Sequence, residues 1–270
     1  MSPLAQRVVT AIPLLTGLLL LLFVAPPWAV IWVTGAVVVI GAWEWSAFLG
    51  WRLPLARGIY AAGMALALAL FSWLVPAVVE LEIVLWISLL WWAIAFLWIL
   101  RYPTAIPPPI AAVSGALVLI PCWLAMVAIL SVPGRGAALA LLALSVVIAA
   151  DIGAYFAGHR FGRVKLAPQV SPGKTWEGLF GGVLLAALTA GAGGLALGLS
   201  PRVMVPLGLG VATLSVVGDL TESMFKRSVG AKDSGHLIPG HGGVLDRIDG
   251  ITAALPLFAL ALSWLGLSTG

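Results

Sequence analysis

Long apolar stretches dominate the chain, separated by short polar breaks. Nine stand out, at residues 8–24, 28–49, 57–75, 81–100, 110–131, 137–157, 178–199, 203–222 and 250–268. Each approaches the roughly 20 residues that an α-helix needs to cross the hydrocarbon core of a bilayer. None shows the alternation over about 10 positions that marks a strand of a membrane barrel. The pattern predicts an all-α integral membrane protein with about nine transmembrane helices. No polar stretch exceeds about 25 residues, too few for a separate soluble domain. Residues 1–130 read as an N-terminal scaffold of five spans, and 131–270 as a C-terminal region of four spans whose polar loops, 158–177 and 226–249, are where any catalytic chemistry would lie. Pro13, Pro121, Pro206 and Pro256 fall inside stretches, which membrane helices tolerate. Pro107-Pro108-Pro109 reads as a stiff connector.

Composition sharpens this picture. Only 9% of residues are charged and 62% are hydrophobic, whereas soluble domains carry about 25% charge. That excludes a soluble globular enzyme, a disordered chain and a fibrous repeat. A single cysteine, Cys122, rules out an internal disulfide or a thiolate zinc site. Charge placement sets the orientation. With a cytoplasmic N-terminus, 12 of the 14 basic residues fall on the inner side, and only Arg135 and Arg202 outside. This is a strong positive-inside bias, and nine spans then put the C-terminus outside. Trp28, Trp51, Trp98, Trp176 and Trp264 lie near span ends, where interfacial tryptophans anchor.

The remaining polar residues are concentrated. Seven of the ten acids lie from Asp151 onward, and eight of the fourteen bases lie in the loops 158–177 and 226–249. Asp219, Glu222, Ser223 and Lys226 fall at i, i+3, i+4 and i+7, one stripe of a helix. Asp246 and Asp249 are three apart at the start of the last span, and Asp151 stands near the inner end of the sixth. A charge at bilayer depth costs about 2.5–3.5 kcal/mol, so such groups pair, face a wet cavity or serve a function. Acids beside Lys, Arg and a glycine-rich loop suit a nucleoside triphosphate. Mg²⁺ bridges carboxylates and phosphates, cations take the remaining phosphate oxygens, and glycine lets the backbone approach closely. A carrier would gather its acids nearer the midplane and show an inverted repeat. A non-catalytic scaffold would have no reason to gather so much charge at one face.

Three motifs come close and fail. Gly173-Lys174-Thr175 resembles the end of a P-loop, but Pro168 stands where its first glycine belongs and no strand is expected before it. His236 and His241 lack a third soft ligand for zinc. Asp246-x-x-Asp249-Gly250 starts like the motif of CDP-alcohol phosphotransferases but continues differently, with Ala253-Ala254.

A fourth match is specific. The 27 residues from Ser223 to Asp249, which include Lys226-Arg227, Lys232-Asp233, His241-Gly242-Gly243 and Asp246-Arg247, meet every fixed position of the signature of phosphatidate cytidylyltransferases. Asp151-x-x-x-Tyr155-x-x-Gly158, the run Ser171–Gly178, and Gly218-Asp219 with Glu222-Ser223 also look like that family. The resemblance covers about the last 120 residues, while the N-terminal half agrees only in length and hydropathy. It implies a Mg²⁺-dependent enzyme of the bacterial inner membrane, a homodimer with its active site facing the cytoplasm. Such an enzyme makes CDP-diacylglycerol and pyrophosphate from CTP and phosphatidic acid, for phospholipid synthesis and with no nucleic acid involved. On this reading Asp219, Asp246, Lys226 and Asp249 are catalytic. Asp219, Asp246, Asp249, Glu222 and Asp151 are metal ligands, the last a candidate for a second cation. Ser171, Lys174, Glu177, Ser223, Arg227, Lys232, Asp233, His241, Gly242, Gly243 and Arg247 would bind substrate.

Overall fold

The computed structural model describes residues 3–51, 53–77, 80–235, 237 and 242–267. Nine helices run through the described residues: α1 (Pro3–Phe23), α2 (Pro27–Trp45), α3 (Pro54–Ala77), α4 (Leu81–Leu100), α5 (Pro108–Leu130), α6 (Gly136–Phe161), α7 (Trp176–Ala196), α8 (Pro201–Ser228) and α9 (Leu245–Trp264). Every apolar stretch forms a helix, because in lipid only a helix or a closed barrel satisfies the backbone internally. The seven helices from α2 to α8 are long and apolar enough to cross a membrane. Several begin on proline, whose missing N–H and fixed φ suit a first turn. The Pro107-Pro108-Pro109 run is therefore no connector. Pro107 is the extended N-cap of α5, and the next two prolines form its first turn.

Helices α6 and α8 outrun their apolar stretches, carrying Tyr155 to Phe161 and Asp219 to Ser228 on continuous helix. The loop after α6 is not purely irregular. It folds into an antiparallel hairpin, β1 (Lys165–Ala167) against β2 (Ser171–Thr175), a small addition to an otherwise all-helical fold. Lys174 sits in β2, and Thr175 caps α7 by accepting the N–H of Gly178 at 3.1 Å.

Helix α9 is central. It packs on α8, α5, α4, α6 and α2, and Ala253–Leu262 is almost wholly buried. Two apolar clusters tie the halves of the chain together; one joins Leu22, Val30 and Leu85 to Phe258 and Leu262. Outward-facing Trp28, Trp32, Trp73 and Trp264 remain exposed, as lipid contact requires. Trp98 departs from its expected anchoring role. It packs edge-on against Phe225 of α8 and donates to Thr104.

Close helix approach depends on glycine. A Cβ on Gly153 of α6 would stand 2.5 Å from the carbonyl oxygen of Gly181 in α7. A Cβ on Gly218 of α8 would stand 2.5 Å from that of Asp249 in α9. Small residues of this kind let membrane helices pack backbone to backbone. The second contact brings the start of α9 against the acidic stripe of α8.

Candidate active site

The ends of α6, α8 and the hairpin meet the start of α9 at one end of the bundle. On α8, Lys226 is turned inward, 7% exposed, rather than toward solvent. Its ammonium stands 2.7 Å from Oδ1 of Asp246 and 3.4 Å from Oε2 of Glu222. Asp246 also accepts the N–H of Ser234 (3.0 Å) and of Gly243 (2.8 Å). Burial pushes its carboxyl pKa up, but the Lys226 hydrogen bond and charge and the two N–H groups outweigh it, leaving the pKa below the usual aspartate value. Gly242 takes φ = +81°, beside the Asp246 carboxylate, a backbone state that glycine adopts without strain.

Beside this knot opens a cavity of about 630 Å³. Asp151, Lys174, Asp219, Asp246, Arg247 and Asp249 line it, with Tyr155 and His159 stacked ring on ring at its edge. Lys174 reaches in from β2 to pair with Asp219 at 2.6 Å. Four carboxylates and two cations thus share one water-accessible hollow of ligand size. Glu222 and Asp249 also border a narrow hollow lined by Trp45 and Trp92.

A family model for the cytidylyltransferase family matches residues 5–265. The chain belongs to the cytidylyltransferase family. Among the relatives of this cytidylyltransferase, the phosphatidate cytidylyltransferase of Pseudomonas aeruginosa is 43% identical over 270 residues, covering 97% of each chain. That of Haemophilus influenzae is 39% identical over 286 residues, covering 95% of this chain and 97% of its own. That of Brucella suis is 50% identical over 123 residues, 43% of each chain. Likeness to the family is therefore not confined to the last 120 residues; it runs through the N-terminal half as well.

The cytidylyltransferase gathers most of its sequence-predicted site residues at this end, in differing roles. Asp151, Lys174, Asp219, Asp246, Asp249 and Arg247 line the cavity. Ser223 donates to Asp219 at 3.3 Å. Glu177 holds the hairpin, its carboxylate accepting the N–H of Val164. Arg227 links the hairpin to the next loop, donating to the carbonyls of Val170 and Ala231. Ser171 is half-buried in β2, and Lys232 and Asp233 are exposed beyond α8. Gly243 donates to Asp246, while His241 lies outside the described residues. Among the described residues, no three of His, Cys, Asp and Glu converge as a ready-made metal cage. The sequence reading missed Glu44 of α2, which accepts the N–H of Leu245 at 2.7 Å and of Val244 at 3.1 Å. Its only sequence signal is an acid inside an apolar stretch, which by itself calls for a partner.

Proposed function

We propose that this cytidylyltransferase transfers CMP from CTP to phosphatidic acid, giving CDP-diacylglycerol and pyrophosphate. The near full-length likeness to two phosphatidate cytidylyltransferases carries the reading. The cavity suits the chemistry: its cations match the phosphates of both substrates, and its carboxylates suit a divalent ion. A phosphate oxygen of phosphatidate attacks the α-phosphorus of CTP, a new P–O bond forms, and the bond to the β-phosphate oxygen breaks as pyrophosphate leaves. The nucleophile is already ionised near pH 7, so the side chains have mainly to align the phosphates and balance their charge. Lys174 and Arg247 serve the phosphates. Lys226 organises Asp246, a role that its burial between two acids favours over direct phosphate contact.

The donor set fits Mg²⁺. Its carboxylates are hard-oxygen donors of the kind that Mg²⁺ takes alongside substrate phosphates. Asp219 and Asp249 are the foremost ligands in this reading, with Asp246, Glu222 and Asp151 next. When bound, Mg²⁺ would neutralise phosphate charge. The positive-inside bias supports a cavity on the cytoplasmic side of an inner membrane, where CTP is found, with phosphatidate arriving from the adjoining leaflet. A homodimer and a second cation rest on the family resemblance alone. Purified protein given CTP labelled in the cytosine, with phosphatidate in detergent micelles, should yield label in the lipid extract. Label confined to the aqueous phase would overturn the proposal.

A further inference from the structure

Glu44 sits in the last turn of α2, in the half of the chain whose apolar pattern reads as scaffold, and is 1% exposed. Its carboxylate accepts the N–H groups of Leu245 and Val244 and the hydroxyl of Ser234 at 3.3 Å. Helix α9 begins at these residues without a side-chain cap of its own. The first N–H groups of a helix need acceptors, and its positive end favours an anion. Glu44 therefore does the work of an N-cap acid from another helix, 201 positions away in sequence from Leu245. The contact extends into the loop before α9. Gly235 and Gly243 lie so close to the Glu44 carboxylate that a Cβ on either would collide with it.

The same segment carries the site. Ser234 gives its hydroxyl to Glu44 and its N–H to Asp246, so one residue ties the two carboxylates together. Gly243 donates to Asp246, and Lys226 closes the knot from α8. Arg247 follows in the first turn of α9, at the cavity wall.

We propose that Glu44 is a positioning residue of the cytidylyltransferase site. It seats the start of α9 together with Ser234 and Gly243, and through them fixes Asp246 and Arg247 toward the substrates, with Lys226 bracing Asp246 from α8. The kinetic half of this inference rests on the proposed reaction; the seating half does not.

Glu44→Gln tests it. Glutamine keeps the volume but loses the charge and turns an NH₂ donor toward N–H donors. Hydrogen bonds to charged groups are worth enough to predict an increase of about tenfold or more in amide exchange at Val244 and Leu245. Exchange in α5 and α6 should stay as in the wild type. The kcat/KM for CTP should fall by a similar factor, and Glu44→Asp, which keeps the charge on a shorter arm, should recover part of the rate. Unchanged exchange at 244–245, a loosened segment with wild-type kinetics, or an equal loss of protection throughout the bundle would each overturn the proposal. If Glu44→Gln does not fold, Ser234→Ala, which removes only the hydroxyl contact, should shift exchange and kcat/KM in the same directions by a smaller factor, and no shift in either would overturn the proposal. A wild-type protein that transfers no cytidylyl group would refute the reaction, while the exchange comparison would still decide whether Glu44 seats the segment.

Discussion

Lys226 and Lys174 are both lysines near aspartates, yet their surroundings give them opposite roles. The Lys226 and Asp246 side chains are 9% and 7% exposed, whereas Lys174 and Asp219 are 23% and 33% exposed. Removing one partner of a buried pair leaves an uncompensated charge and costs about 3–5 kcal/mol. Lys226→Ala strands both Glu222 and Asp246, so its thermal unfolding in detergent should show a loss of that order, with activity lost as well. Breaking a partly exposed pair costs less, about 1 kcal/mol. Lys174→Met should unfold near the wild-type temperature while losing most of its activity. Equal destabilisation by the two changes would contradict the difference in burial between the two pairs. At this scale the sequence was a good guide to which residues meet. The i, i+3, i+4, i+7 spacing places Asp219, Glu222, Ser223 and Lys226 on one face. It does not show that Lys226 turns inward, because that depends on where α9 crosses. Nor could spacing reveal Glu44, whose partners lie some 200 positions along the chain.

At the scale of elements, the helices were legible because the bilayer permits so few structures, and among the described residues seven of them are long and apolar enough to cross it. Their ends were not. Helices α6 and α8 continue past the apolar stretches, since their backbone bonds are satisfied by the helix itself wherever the lipid ends. The β1–β2 hairpin left no clear mark, its strands being three and five residues long. Yet it delivers Lys174 to the cavity, and Thr175 and Glu177 fix it to α7 and to Val164. Thr175→Ala removes the N-cap of α7, which should lower stability by about 1 kcal/mol. Activity should fall further than that loss explains, as Lys174 loses its footing. A rate that merely tracks folded fraction would deny the hairpin this role. Gly153→Leu should be more damaging, because its side chain would meet the α7 backbone at Gly181; the expected result is little folded protein in size-exclusion chromatography.

On the scale of the molecule, α9 joins the two halves, with apolar contacts along its length and Glu44 at its start. The N-terminal half had looked like scaffold because its chemistry is a single buried acid among apolar residues. The fold places Lys232 at the site end and Arg135 at the far end of α6, both exposed. In a Cys122→Ser background, a membrane-impermeant maleimide should label Lys232→Cys only from the cytoplasmic side and Arg135→Cys only from outside. Labelling of both from one side would contradict the proposed orientation. The central claim is the transfer itself. It is tested most directly by giving the purified protein phosphatidate with CTP labelled at either the α- or the γ-phosphorus, alongside Asp219→Asn. The account predicts that α-label enters the lipid, γ-label leaves as pyrophosphate, and the Asp219→Asn protein does neither at a comparable rate. Label from the γ-position in the lipid, or undiminished transfer by Asp219→Asn, would contradict it.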